Sequence, residues 1–176
     1  MSEPLRAWQV AALRGVSRTW QTHTRALVVA PTGAGKTVFF SEIARRRRDA
    51  KRGRTLVLAP MIDLVDQAAG VLEKAGLSVQ VEQANKIASV FPGLLGGSDA
   101  VVACCDSLKG RRLERWPEDA FGTVIADEAH CYAAPSRRAI LDRFTTAKIL
   151  GVTATPMRGD NVALGHVFPE LASEYP

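Results

Sequence analysis

The chain has 176 residues, 47% hydrophobic and 23% charged, with a formal net charge of +5 and a pI near 9.4. That length suits one domain with a core of its own, and the composition is that of an ordinary globular protein. No apolar run reaches the roughly 20 residues of a membrane-spanning helix, and Met1–Val10 lacks the apolar stretch of a signal peptide.

In chain order, Leu5, Trp8, Ala12, Leu13, Val16 and Trp20 recur at three- and four-residue steps and predict a first helix. The period then changes. Residues 26–30 (Ala-Leu-Val-Val-Ala) form a short unbroken apolar run, as in a strand buried on both faces. A glycine turn leads into a helix from about Lys36 to Asp49. Thr55–Ala59 predicts a second strand. The next helix spans 61–76, with Ile62, Val65, Ala69 and Leu72 as its core face and Gly76 as a stop. Further strands are expected over Leu77–Val81, Ala100–Ala103, Phe121–Ala126 and Lys148–Val152. A short helix opens at Pro135 and carries Ile140, Leu141 and Phe144. Residues 84–98 read as a short helix followed by a loop. Strands alternating with helices imply an α/β fold: a mostly parallel sheet with helices on both faces.

Three cysteines, Cys104, Cys105 and Cys131, are too few and too poorly spaced for a disulfide framework. They read as reduced thiols of a cytoplasmic protein. Adjacent strand residues point to opposite faces, so Cys104 and Cys105 are expected on different sides of the sheet. The run Arg45–Arg48 with Lys51, Arg52 and Arg54 invites a nucleic-acid reading. Residue 48 lies about 18 Å along the helix from the glycine turn, and cations suit a helix C-terminus. A solvated helix end is therefore the preferred reading.

Residues 30–37 (Ala-Pro-Thr-Gly-Ala-Gly-Lys-Thr) fit the phosphate-binding P-loop pattern, with alanine at the first glycine position. Gly33 and Gly35 allow backbone angles that a β-carbon penalises. The helix starting at Lys36 turns its positive end to an anion. The motif assigns Thr32, Gly33, Ala34, Gly35, Lys36 and Thr37 to a nucleotide, with Lys36 on the β- and γ-phosphates and Thr37 on Mg²⁺. The alternative is a glycine turn with no ligand. Asp127 and Glu128 follow an apolar strand, where Asp127 suits a Mg²⁺ ligand and Glu128 a base for the attacking water.

Asp127-Glu-Ala-His130 resembles the DEAH form of the Walker B motif in superfamily 2 helicases, and Thr153-Ala-Thr155-Pro156 resembles their motif III. Residues 59–67 are similar to motif Ia and residues 103–108 to the Thr-x-x-Ser-Leu segment. Leu5-Arg-Ala-Trp-Gln9 resembles the adenine-side motif of the DNA helicase and restriction-type branch, as do residues 151–160 its Thr-Pro-x-Arg-x-Asp segment. The likeness covers essentially the whole chain. It implies a RecA-like P-loop NTPase domain over residues 1–176, the first of two motor domains, with the second absent.

The same resemblance places Arg6 and Gln9 at adenine. For Gln9, an exposed helix face with no role is the alternative. His130, Thr153 and Thr155 become the coupling between nucleotide and nucleic acid. Catalysis falls to Lys36, Asp127 and Glu128, with ATP and Mg²⁺ as cofactors and Thr37 and Asp127 as metal ligands. The implied partners are a nucleic acid, DNA before RNA, and a second RecA-like domain in the full protein or in trans, with no membrane.

Two departures stand out. Ile62 occupies a position where motif Ia often has arginine, and Asp106 puts a negative charge beside a phosphate track. Without a second domain there is no arginine finger, worth about 10³–10⁵ in rate. Weak hydrolysis is expected of this chain alone, whether it is a fragment or a natural truncation. A nucleotide-binding regulatory or interaction remnant without motor activity is the competing reading.

Overall fold

The computed structural model describes residues 4–91, 97–154 and 161–175. Thr155 and Pro156 lie outside them. The helices are α1 (Ala7–Thr22), α2 (Lys36–Asp49), α3 (Ile62–Lys74), α4 (Arg111–Glu114), α5 (Pro135–Arg143) and α6 (Asn161–Val167), with a 3-10 helix at Ala129–Ala133. The strands are β1 (Arg25–Val29), β2 (Thr55–Ala59), β3 (Val79–Glu82), β4 (Ala100–Cys104), β5 (Thr123–Asp127), β6 (Lys148–Thr153) and β7 (Leu171–Glu174).

The strands form one sheet in the order β3-β4-β2-β5-β6-β1-β7, with every pairing parallel. The fold is α/β and RecA-like. Strand periodicity sorts the apolar runs onto two faces. Ala26 and Val28 of β1, Val57 of β2, Val102 of β4 and Leu150 of β6 pack against α1, α2 and α3. Their neighbours Leu27, Val29, Leu56, Val101 and Ile149 pack against the 3-10 helix, α5 and α6. Cys104 joins the first cluster and Cys105 the second, as their adjacency requires. All three cysteines are free.

Several expectations are corrected. The strand expected over Leu77–Val81 is Val79–Glu82, because Gly76 (φ 81°) closes α3 and Leu77 packs into the core before pairing begins. The described part of the 84–98 segment holds no helix. Gln83 and Lys86 instead close an antiparallel bridge. The short α4, α6 and β7 have no counterpart among the expected elements, since each lacks a long periodic pattern. Ile62 is 49% exposed rather than core, because as the first residue of α3 it precedes the turn that faces the sheet. Val65, Ala68, Ala69 and Leu72 supply that helix's buried face.

The arginine run is also more than a solvated end. Arg47 donates to Thr123 Oγ1 (2.7 Å) and the Gly122 carbonyl (2.9 Å), and Arg54 donates to Ser98 Oγ (2.6 Å) and the Ser98 carbonyl (3.1 Å). Both reach in from α2 and its following turn to fasten the lower rim of the sheet.

Candidate nucleotide site

Three neighbouring strands, β5, β6 and β1, bring their C-terminal ends together. The P-loop leaves β1, Asp127 ends β5, and Thr153 ends β6 between them. The Ala30 N–H donates to the Thr153 carbonyl (2.9 Å), so the loop begins in register with β6. Gly33 (φ 77°) and Gly35 (φ 91°) adopt left-handed backbone that a side chain would strain. The helix α2 starts at Lys36, directly behind the turn.

A cavity of about 290 Å³ opens here, lined by Gly33, Gly35, Lys36, Thr37, Asp127 and Glu128, and by Gln67 of α3. Gln67 closes the stretch that resembles motif Ia, but nothing local aims its side chain at the phosphate loop. It falls two residues before the core position Ala69 and reads there as surface. Thr32 is exposed on the turn.

The electrostatics follow from burial. Asp127 is pushed up from the ordinary 3.8 to about 6, first by desolvation and then by the neighbouring Glu128 charge. The Glu128 N–H donates to Asp127 Oδ1 (3.0 Å) and partly offsets this. Glu128 itself is left-handed (φ 50°, ψ 59°), a conformation costing about 1–3 kcal/mol for a residue with a β-carbon. That turn ends the strand and swings the chain into the 3-10 helix. It leaves the Glu128 carboxylate between two partners: Oε1 lies 4.0 Å from Lys36 Nζ, and Oε2 lies 3.4 Å from His130 Nδ1. His130 Nδ1 is also 3.0 Å from Thr153 Oγ1. An ionised carboxylate only accepts, so the tautomer with a proton on Nδ1 suits both contacts. These contacts set Lys36, Glu128, His130 and Thr153 side by side across the three strand ends.

The adenine-side pair behaves differently. Gln9 is 2% exposed, so the exposed-face alternative fails. Its Oε1 accepts from the Arg6 N–H (2.8 Å), and its Nε2 donates to the Gly35 carbonyl (3.0 Å). Arg6 Nη1 and the Trp8 indole N–H both donate to the Ala34 carbonyl, at 3.1 and 3.2 Å. Three side chains from one helical turn therefore hold the P-loop backbone from behind. In the sequence Trp8 reads only as a core residue, and nothing local marks its N–H as a partner of the loop.

Asp106 does not stand as a bare negative charge: Lys109 (2.7 Å) and Arg137 (3.3 Å) flank it. The Lys109 hydrogen bond, above all, holds its carboxyl below the usual range. Behind it, the Cys105 thiol meets the Tyr132 hydroxyl at 2.7 Å, and burial pushes Cys105 up to about 11. That thiol is an inert packing group at neutral pH.

Residues 2–158 match the family described as Type III restriction enzyme, res subunit. Among curated relatives, the chain is 30% identical to the putative ATP-dependent helicase IRC3 of Saccharomyces cerevisiae, over 95% of this chain and 26% of that protein. It is 29% identical to the DNA 3'-5' translocase XPB2 of Sulfurisphaera tokodaii, over 89% of this chain and 32% of that protein. The chain thus spans about a third or less of these relatives. Among solved structures, a putative HsdR subunit of a type I restriction enzyme from Vibrio vulnificus YJ016 is 26% identical, with a TM-score of 0.70 over 97% of this chain and 30% of that one. The Type ISP restriction-modification enzyme LlaGI, in complex with a DNA substrate mimic, superposes with a TM-score of 0.75 at 20% identity, over 99% of this chain and 20% of that one. The chain belongs to the Type III restriction enzyme res-subunit family, and its fold is the N-terminal RecA-like domain of a restriction-type superfamily 2 helicase.

Proposed function

We propose that this chain binds ATP·Mg²⁺ and serves as the first motor domain of a DNA-directed, nucleic-acid-dependent ATPase, hydrolysing slowly until a second RecA-like domain, in the full protein or in trans, completes the cleft. The observation that carries this reading is the cluster of Lys36, Glu128, His130 and Thr153, which sets a phosphate loop beside the strand end expected to report to the nucleic acid.

The residues fit the nucleotide. The two left-handed glycines leave a cradle of backbone, and Lys36 stands at its mouth. The buried Asp127 carboxyl, raised by desolvation, is one that a divalent cation would return to its ionised form. Bound Mg²⁺ supplies neutralisation of phosphate charge. Thr37 and Asp127 would hold that ion, and Lys36 would hold the terminal phosphates. Glu128, oriented by His130, accepts the proton of the attacking water. Thr153 passes the state of the carboxylate to the end of β6 and on to Thr155. Thr32, Gly33, Ala34 and Gly35 supply backbone N–H groups. Arg6 and Gln9, assigned to adenine by the motif, act through the loop they brace.

The preference for DNA rests on relatives. One is named a DNA translocase, and several superposed proteins were solved with DNA, although another neighbour is a hypothetical ATP-dependent RNA helicase. Free thiols fit a reducing compartment such as the cytoplasm. No helix among the described residues is long and apolar enough to cross a membrane.

Steady-state hydrolysis with and without single- and double-stranded DNA and RNA tests the reading. Slow turnover that rises with DNA and disappears in Lys36→Ala and Glu128→Gln is the expected result. Nucleotide binding with no response to any nucleic acid would instead favour a regulatory remnant.

A further inference from the structure

A second cavity, of about 370 Å³, lies at the opposite end of the sheet from the nucleotide site, between α1, α2 and the start of β6. Its walls carry Arg47, Arg52 and Lys148 together with Ser17, Gln21 and Trp20. Among the described residues, none of these three cations has a carboxylate within ion-pair distance. Arg47 is held by the Thr123 hydroxyl and the Gly122 carbonyl, and its guanidinium stacks 5.3 Å from the Trp20 ring centre. Lys148 donates to the Trp20 carbonyl (2.5 Å) and the His23 carbonyl (2.9 Å). Neutral groups thus fix both charges in place without cancelling them. Arg46, which also borders the cavity, and its neighbours Arg45 and Arg48 differ in that each pairs with a carboxylate, from Glu42, Asp49 or Asp99. Burial, and then the charge of Arg52, depress the Arg47 pKa, as expected of cations facing one another with no anion between them.

We propose that this cavity is a second anion site, which takes backbone phosphates of a nucleic acid at the rear of the domain, away from the strand tips that carry the nucleotide. The chemistry favours phosphate over an acidic peptide. Leu13, Val16 and Ile43 of the apolar floor are each no more than 5% exposed, so an anchoring apolar side chain would meet little free surface there. What remains is charge with hydroxyl and amide donors, the means by which proteins position a phosphate backbone without reading sequence. The basic surface also continues beyond the cavity. Arg14 and Arg18 are exposed on α1, three residues before Ser17 and Gln21 respectively, and neighbour them on the helix surface.

This inference rests on the nucleic-acid reading above and is tested apart from it. Binding of a fluorescein-labelled 30-base-pair duplex is measured across a salt series, without nucleotide, for the whole chain and for Arg52→Glu and Arg14→Glu/Arg18→Glu. These side chains are exposed and take no part in the nucleotide site. Affinity is expected to fall several-fold in each variant. The slope of log K against log salt should shrink by about 1 for each phosphate that the variant leaves unneutralised. ATP-analogue affinity should not change. Lys74→Glu, on α3 outside this surface, controls for the two-unit charge change of Arg52→Glu, and the four-unit change of the α1 pair is compared with it per charge. An equal loss in Lys74→Glu, or unchanged slopes in the α1 and Arg52 variants while the wild type binds duplex, overturns the rear site and leaves the motor reading standing. No duplex binding by the wild type overturns the rear site, and the motor reading then stands or falls on the hydrolysis assay with single strands. Trp20 is the most exposed of the three tryptophans, so its fluorescence reports occupancy. Quenching by inorganic tripolyphosphate that Arg52→Glu abolishes, with duplex binding intact, would show a small-phosphate site and overturn the backbone assignment.

Discussion

Asp127 shows how one buried charge links stability to chemistry. Its folded pKa of about 6 lies above the ordinary 3.8, so the folded state holds a proton that the unfolded chain has already lost between those values. Stability from this group is therefore full below about pH 3.8 and falls as pH rises to about 6. The whole shift corresponds to no more than about 3 kcal/mol. In metal-free protein at pH 7.5, Asp127→Asn should raise the melting temperature by several degrees, and the gain should vanish near pH 4. The same variant should lose hydrolysis. A melting temperature that does not rise in EDTA would show the carboxylate to be compensated.

Glu82 is the opposite case. It is fully buried and meets Arg112 Nε (2.9 Å), Arg115 and the Ala88 N–H (2.9 Å). Breaking such a group by removing one partner typically costs about 3–5 kcal/mol. Glu82→Ala should lower the melting temperature by roughly 6–20 °C, at about 2–4 °C per kcal/mol for a domain of this size. A loss under 1 kcal/mol in denaturant melts would place the cluster at the surface in energetic terms.

At the scale of elements, α1 is the brace of the phosphate loop. Its first turn contributes the Trp8, Gln9 and Arg6 donors to the Ala34 and Gly35 carbonyls. Each peptide unit is planar, so fixing these carbonyls also orients the N–H groups on the other side of the same planes. Trp8→Phe keeps the apolar body against Phe39 and removes one hydrogen bond, worth about 1 kcal/mol. ATP-analogue affinity should weaken several-fold with little change in the melt. An unchanged dissociation constant would mean that Arg6 and Gln9 suffice. The 3-10 helix plays a matching part on the other face. Tyr132 is fully buried beside Cys105, and this fixes the exit of the Asp127–His130 segment.

At the scale of the whole molecule, β7 seals the edge of the sheet next to β1. The Leu27 N–H donates to the Glu170 carbonyl and the Tyr175 N–H to the Val29 carbonyl, each at 2.8 Å, and the Tyr175 ring stacks on Trp8 at 5.5 Å. α1 lies so close to this strand that a β-carbon on Gly15 would stand 2.2 Å from the Ala172 carbonyl oxygen. Gly15→Val should push β7 away while the six other strands stay paired. Amide exchange at Leu27 and Tyr175 should speed up, with protection at Val57 and Val102 retained. Uniform loss of protection would show β7 to be integral to the cooperative core.

Much of this was legible in the sequence, for a physical reason. The α/β alternation and the α2 boundaries at Lys36 and Asp49 follow from local rules: unbroken apolar runs make strands buried on both faces, and a glycine turn before a lysine begins a helix. Lys36, Thr37, Asp127 and Glu128 stood out because phosphate chemistry demands those residue types in that order. Tertiary structure alone decided the rest, because it depends on which distant surfaces meet. No local pattern distinguishes Gln9 as a buried P-loop brace from a polar residue on a free helix face. The same holds for Arg47, which reads as one more cation in a run until the fold sets Thr123 and Trp20 beside it. The sheet order, with β6 between β1 and β5, is likewise a long-range outcome. It brings Thr153 within reach of His130 and so completes the cluster that the motifs, taken singly, only name.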